Sequence, residues 1–294
     1  MDSKSITKSN ALIEASYRLS LNEMRIILYG VSLINPMATE FPLQYRIEVK
    51  RYSEIFHLSQ NSIYDELKNS VLNRFWEREF SYLNESGRRE VLRWLTKVIY
   101  SDEDGYLEIK FNEEIQPLLH QLKSNFTTYY IEEIALFKSV FSVRIYENLL
   151  MNLKKLKVKK VDFTLSLAEL KERLDVTDKY SRFYDFKKRV LETAKDEINK
   201  YSDLNIEYEV IKVGRSHHNI KFVSSYKPGK QKKHQTYNLN QKEQLRSELK
   251  NVLEELKPFR TKSSFTREQD IARLKLEKRR SELKSQLEKL SKSA

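Results

Sequence analysis

The stretch Leu170–Phe222, LKERLDVTDKYSRFYDFKKRVLETAKDEINKYSDLNIEYEVIKVGRSHHNIKF, decides the fold. Its middle, Phe183–Ile198, places Phe183, Phe186, Val190, Leu191, Ala194 and Ile198 on one side of a helix. Arg182, Asp185, Lys188, Arg189 and Glu192 fall on the opposite side. Period-two alternation follows at Leu204, Ile206, Tyr208 and Val210, then at Ile220 and Phe222, which is the pattern of two half-buried strands. The turn between them, Val213-Gly214-Arg215-Ser216-His217-His218, has positive charge only. A helix with a basic outer face beside a basic hairpin tip suits one helix in a major groove and a wing on the adjacent backbone.

Working outward, a strand at Val161–Leu165 and a short helix precede this stretch. That short helix opens with a capping box, Ser166 to Glu169. The same order occurs about 120 residues earlier. There, a strand at Gln44–Val49 leads to a short helix near Tyr52–His57, a longer one over Asn61–Arg78, and strands at Phe80–Leu83, Val91–Tyr100 and Tyr106–Phe111. The two copies share little sequence, so the repeat is one of architecture. The chain therefore reads as α+β: two tandem winged-helix domains, 1–125 and 126–228, followed by a basic tail, 229–294, that is helical or partly disordered.

The N-terminal segment Asn10–Ile34 starts a helix at a second capping box, Ser20 with Glu23, and its stripe of Leu21, Met24, Ile27, Leu28, Val31 and Ile34 faces a core. Asn112 caps a helix reaching about Leu122, and a long helical segment over about Tyr130–Lys155 joins the two domains. In the tail, Leu245, Leu249, Val252 and Leu256 make one amphipathic helix that Pro258 breaks. Ile271, Leu274, Leu283, Leu287 and Leu290 mark a second.

Composition narrows the function. The 294 residues have a net charge of +12 and a pI of about 9.4, which favours an anionic partner. Residues 230–294 hold 18 Lys/Arg against 9 Asp/Glu, whereas the other 229 residues hold 36 against 33. Most of the excess charge thus lies in the tail, and specific recognition has to come from where charge points within the fold. Five glycines leave no G-x-x-x-x-G-K phosphate loop and no G-x-G-x-x-G turn. Zero cysteines exclude disulfides, thiolate zinc sites and cysteine nucleophiles, and fit a reducing cytoplasm. No stretch approaches the roughly 18 apolar residues of a membrane span, and no cofactor is expected. His217-His218 has no accompanying ligand cluster, so no metal is expected there. The carboxylates and tyrosines form no catalytic constellation, so the chain is not expected to be an enzyme.

Three blocks resemble one family. NALIEASYRLSLNEMRIILYG (10–30) looks like the N-terminal signature of plasmid replication initiators of the Rep_3 type, the iteron-binding Rep proteins. YDFKKRVLETAKDEINKYSDLNIEYEVIKVGRSHHNIKF (184–222) is similar to their second-domain signature. ALFKSVFSVRIYENL (135–149) resembles the helix that opens that domain. The resemblance covers about residues 8–225, in family order and spacing.

It implies a cytoplasmic, non-enzymatic initiator that binds double-stranded DNA: iterons at the origin as a monomer, and an inverted repeat in its own promoter as a dimer that represses synthesis. It further implies dimerisation through the first domain, main sequence reading by the second, and the host replicative helicase, host initiator and chaperones as partners. A winged-helix transcriptional regulator without initiator activity would use the same parts.

The candidate DNA-binding residues follow. Lys179 and Ser181 precede the second-domain helix, and Arg182, Asp185, Lys188 and Arg189 lie on its outer face near its N-terminus. Lys187 falls on the apolar side of a regular helix, from which it either snorkels to phosphate or sits at the domain edge. Lys212, Arg215, Ser216 and His217 form the wing turn. In the first domain Asn61, Ser62, Tyr64 and Lys68 line the longer helix, and Arg88 and Arg89 follow a turn.

Overall fold

The computed structural model describes residues 4–35, 41–59, 67, 75–101, 105–122, 124–214, 216–229, 231–260 and 265–292. They divide into two compact units, Met1–Lys227 and Pro228–Ala294.

The first unit begins with strand β1 (Ser5–Ser9), whose Ser9 side chain caps helix α1 (Asn10–Glu14). Strand β2 (Ser16–Tyr17) and helix α2 (Leu21–Leu33) follow. The capping box at α2 is formed as the sequence predicts: the Ser20 hydroxyl accepts from the Glu23 amide at 3.3 Å, and the Glu23 carboxylate accepts from the Ser20 amide at 2.7 Å. Helix α2 is buried along most of its length. Gly30 lets it approach the sheet, since a Cβ there would stand 2.5 Å from the Ile109 Cδ1.

Strand β3 (Gln44–Glu48) leads into α3 (Val49–Phe56). Of the longer helix expected over 61–78, residues 61–66 and 68–74 lie outside the described residues. Its end is described: Phe75–Glu77 is a 3-10 turn and Arg78 has already left it. Strands β4 (Glu79–Leu83), β5 (Arg89–Arg93), β6 (Leu95–Ser101) and β7 (Tyr106–Phe111) come next.

The single strand expected over Val91–Tyr100 is two strands in two sheets, ordered β2-β4-β5 and β3-β7-β6. Trp94 makes the break. It is 1% exposed, with its ring against Phe80 (4.6 Å) and edge-on to Tyr17 (5.1 Å), and the chain turns around it from one sheet into the other.

After a 3-10 turn capped by Asn112, helix α4 (Gln116–Leu119) ends three residues short of the predicted limit. The continuous helix expected over Tyr130–Lys155 is also corrected. Strand β8 (Phe126–Tyr130) pairs antiparallel with β1, Ser5 opposite Tyr130, and helix α5 (Val140–Leu156) starts only at its Ser139 cap. The run FTTYY is β-branched and aromatic and finds a strand partner 121 residues away. The boundary expected at residue 125 thus falls just before a strand whose partner is the N-terminal one.

The second half is β9 (Lys160–Ser166), α6 (Leu167–Arg173), a long helix over 183–201 whose two ends are α7 (Phe183–Phe186) and α8 (Thr193–Tyr201), and the hairpin β10 (Leu204–Val213) and β11 (Ser216–Tyr226). Its sheet order is β10-β11-β9, so the leading strand pairs with the last strand of the hairpin, as β3 does with β7. The architectural repeat read from the sequence is present in the sheets of both halves, and the fold is α+β.

Helix α5 fastens the halves together. Glu147 on it pairs with Lys8 of β1 at 2.6 Å, both essentially inaccessible, and accepts from Tyr129 of β8 at 2.5 Å. Arg144 on it donates to the carbonyls of Ala15 (2.5 Å) and Arg173 (3.0 Å) and lies over the Tyr17 ring at 3.7 Å.

The second unit is two helices, α9 (Gln231–Arg260) and α10 (Arg267–Lys292). Leu245, Val252 and Leu256 are buried as the amphipathic pattern predicts, and Leu283 joins them from α10. Pro258 does not end α9 where expected. It lies in the last turn, where its missing N–H interrupts the ladder near its end, and the helix runs on to Arg260. Ile271 and Leu274 are about half exposed and do not belong to the seam.

Candidate nucleic-acid interface

The long helix of the second half starts at Arg182, whose extended backbone makes it the N-cap residue. Just before it the chain is pinned by Tyr180. That residue takes the left-handed conformation (φ 56°), packs its ring edge-on to Phe186 and Phe141, and accepts from the Lys171 ammonium at 3.2 Å. Anchored this way, Lys179, Ser181, Arg182, Asp185 and Arg189 surround one open depression at the start of the helix. Arg182 is 80% exposed, and its Nε donates to Asp185 at 3.0 Å, which aims the guanidinium along the rim. Asp185 is the one carboxylate among the lining residues.

The middle of the helix is not α. Lys187–Glu192 is a π turn between α-helical Phe183–Phe186 and Thr193–Tyr201. The Thr193 hydroxyl donates back to the Lys188 carbonyl at 3.2 Å, five residues away. A π turn closes i to i+5 and rotates less per residue than an α turn, so residues before it shift around the axis relative to those after it.

This shift corrects the expectation for Lys187. In a regular helix it would lie on the apolar side. Here Phe186 takes that place at 0% exposure, and Lys187, Lys188 and Arg189 are all exposed. Lys187 pairs with Glu192 at 3.6 Å. No snorkelling is needed.

Tyr184, one turn before Lys188, is exposed too, at 67%, and is absent from the candidates drawn from the sequence. Its signal was an aromatic between Arg182 and Lys188 on the polar side of the pattern.

The wing is held to this helix by polar contacts. Glu192 accepts from the Tyr208 hydroxyl at 2.6 Å, and burial together with that hydrogen bond pushes the phenol well above its ordinary pKa. Asn199 clamps β10 in both directions, donating to the Ile206 carbonyl (2.9 Å) and accepting from its amide (2.7 Å). Lys195 pairs with Glu207 at 2.5 Å.

At the tip, a register shift after Ile211 and the left-handed Gly214 (φ 61°) turn the hairpin, leaving Lys212 and Val213 exposed. Ser216 and His217 begin β11, in register with Val213 and Lys212. Arg215 lies outside the described residues.

Of the first-half candidates, Arg88 and Arg89 fall within the described residues. Asn61, Ser62, Tyr64 and Lys68 lie outside the described residues. Arg88 is exposed in the β4–β5 turn, its amide donating to Asn84 at 2.9 Å. Arg89 is engaged elsewhere: it pairs with Glu172 of the second half at 2.6 Å and donates to Ser81. The β4–β5 hairpin is also distinct from β6–β7, the hairpin that corresponds to the second-half wing.

Further contacts across the two halves went unread in the sequence. Arg18 donates to the Asp175 carbonyl from Nε (2.9 Å) and pairs with Asp178 at 2.6 Å, while Ser16 donates to the Glu172 carbonyl at 2.6 Å. Among the described residues no group of three His, Cys, Asp or Glu is placed to hold a metal ion. None of their helices is long and apolar enough to cross a membrane.

Residues 5–150 match the first winged-helix module of a known family (Initiator Replication protein, WH1), and residues 166–223 match the second (Initiator Rep protein, WH2). Over 206 residues the chain is 30% identical to a replication initiation protein of Escherichia coli, covering 68% of this chain and 64% of that one. It is 31% identical over 127 residues to the PI protein of Escherichia coli, covering 39% and 40% respectively. The chain thus spans less than two thirds of the length of either curated relative. Among solved structures, the Pi initiator protein in complex with iteron DNA superposes with a TM-score of 0.64 at 22% identity, over 76% of this chain and 98% of that one. That likeness is one of fold.

Proposed function

This chain belongs to the initiator replication protein family, and on that premise we propose that it is a sequence-specific, DNA-binding plasmid replication initiator. It binds direct repeats at an origin, promotes opening of the adjacent duplex, and as a dimer represses its own promoter. The observation that carries this reading is the start of the 183–201 helix. Lys179, Arg182, Lys187, Lys188 and Arg189 crowd the positive end of a helix dipole beside a wing whose exposed tip holds Lys212. With Asp185 and Glu192 offsetting only Arg182 and Lys187, the cluster keeps an excess of positive charge that a phosphate backbone would neutralise. Arg182 and Arg189 offer forks to guanine O6 and N7, while Lys179, Ser181 and Lys212 suit phosphates. Tyr184 adds an exposed aromatic face for apolar contact with a thymine methyl or a sugar.

We divide the labour between the halves. The second winged helix reads sequence; the first, with Arg88 at its surface, makes secondary contacts and dimerises. The host replicative helicase, host initiator and chaperones are the partners that the family resemblance supplies, and the cytoplasm, where such an origin lies, is the compartment.

Footprinting on the DNA around the gene tests the reading. Protection of several tandem repeats is the expected result. Protection of a lone palindrome and nothing else would leave a winged-helix repressor without initiator activity. We also read the chain as a non-enzyme. Supercoiled origin DNA incubated with the protein and a divalent metal should stay closed; a nicked or covalent product would overturn that part.

A further inference from the structure

We propose that the C-terminal helical hairpin is a second, sequence-independent site for the phosphate backbone of duplex DNA. The inference rests on the DNA-binding function above and extends it to residues that both matched winged-helix modules, which end by residue 223, leave out.

The hairpin is closed by its own interior. Leu245, Val252 and Leu256 of α9 and Leu283 of α10 are buried. Arg279 crosses from α10 to grip Glu248 of α9 through two nitrogens, at 3.0 and 2.6 Å. That seam takes Leu245, Val252, Leu256 and Leu283 out of water and leaves most of the charged residues on the outside.

The excess includes two lines of exposed cations. On α10, Arg267, Lys275 and Lys278 are exposed and lie on one side of the helix, at spacings of eight and three residues. None of the three has a carboxylate partner among the described residues. On α9, Arg246, Lys250 and Lys257 repeat the arrangement over the same eleven-residue span, all exposed, and only Lys257 is paired, with Glu254 at 2.6 Å. The basic residues nearer the seam behave differently: Arg273 pairs with Asp270 and Arg279 with Glu248 and Glu282. Glu282, on the same face of α10, is drawn to Arg279, and Glu254 of α9 to Lys257, which leaves Arg246, Lys250, Arg267, Lys275 and Lys278 without a carboxylate partner among the described residues. Here two lines of cations run about three turns each, roughly 16 Å, enough to follow several phosphates at one charge per about 1.7 Å of duplex.

A membrane surface fits less well. Interfacial helices bury a broad apolar face, and among the described residues α10 exposes just two large apolar side chains on this side, Ile271 and Leu274.

The test uses the full chain and two probes, a random-sequence duplex and a duplex bearing the tandem repeats, titrated over a series of salt concentrations. The variant Arg267→Gln, Lys275→Gln, Lys278→Gln should flatten the log Kd against log salt plot on the random duplex by about 2–3, from a contribution of about 0.9 per phosphate contact. Its preference for repeats over random DNA should stay unchanged. A companion carrying Arg267→Lys, Lys275→Arg, Lys278→Arg keeps the charge and should keep the parental slope. An unchanged slope in the Gln variant, with helix content intact by circular dichroism, overturns the proposal and assigns the face to an acidic protein surface instead. The two readings fail separately. Absence of any repeat preference in the parental chain would remove the initiator function, whereas the slope difference speaks only for the hairpin.

Discussion

Lys187 and Glu192 stand five residues apart on one helix and pair at 3.6 Å, a separation that an α-helix places on different sides and a π turn brings together. The pair marks the point where the register of the helix shifts, so that Lys187, Lys188 and Arg189 face outward in succession. Glu192 also accepts from Tyr208 of the wing. One carboxylate therefore links the basic run to the hairpin beside it.

Arg182→Ala should lower affinity for the specific site by about 1–3 kcal/mol and relax discrimination at one base position. Titration against the repeat and against versions mutated one base at a time reads this. Equal losses on specific and random DNA would instead make Arg182 a phosphate contact.

Tyr208→Phe removes the hydrogen bond between wing and helix and leaves the ring in place. A loss of about 0.5–1.5 kcal/mol in urea unfolding is expected. The wing, no longer tied to Glu192, should also become more accessible to hydrogen exchange. Unchanged stability and unchanged exchange in β10 would show that the Asn199 clamp and the Lys195–Glu207 pair hold the wing without it.

At the junction between halves, Arg144→Met keeps an apolar stem over Tyr17 but leaves the Ala15 and Arg173 carbonyls without this donor. The expected cost is about 1–3 kcal/mol. Arg89→Ala removes an exposed pair with Glu172 and should cost about 0–1 kcal/mol. Denaturation curves for the two variants separate a buried strut from a surface one.

Lys154 supplies a pH signature. Its ammonium donates to the Thr128 carbonyl, and burial pushes its pKa down from 10.5 to about 8. The unfolded chain then binds the proton more tightly than the folded one between about pH 8 and 10.5, so this residue's contribution to stability rises with pH through that window. Below pH 8 both forms are protonated and the penalty is constant. Lys154→Met should flatten the stability-against-pH curve over that window relative to the parental chain. Parallel curves would show that the ammonium is solvated in the fold.

The Ser20–Glu23 capping box, the hairpin over Leu204–Val223 and the apolar stripe of the 183–201 helix were legible because each is written in neighbouring residues. The second expected box, Ser166 with Glu169, is formed by half: the Ser166 hydroxyl accepts from the Glu169 amide, but the Glu169 carboxylate pairs with Arg173 one turn on. The basic cluster from Lys179 to Arg189 was legible for the same reason. Arg89 was not. It looked like a free cation after a turn, and its partner Glu172 is 83 residues away. A uniform helical period puts Lys187 on the apolar side, and the π turn that interrupts the period is not written in neighbouring residues.

Local periodicity and capping by themselves determined that this chain is α+β, that its two halves follow one order, and that a basic helix and hairpin stand together in the second. Tertiary structure decided which strands share a sheet. It joined β1 to β8 across the first half, split one apparent strand at Trp94 between two sheets, and set Arg18, Arg89 and Arg144 across the halves. The physical reason is that side-chain period and end caps act within a few residues, whereas strand pairing, a buried indole at a corner and a shift of helical register depend on which distant surfaces must be covered.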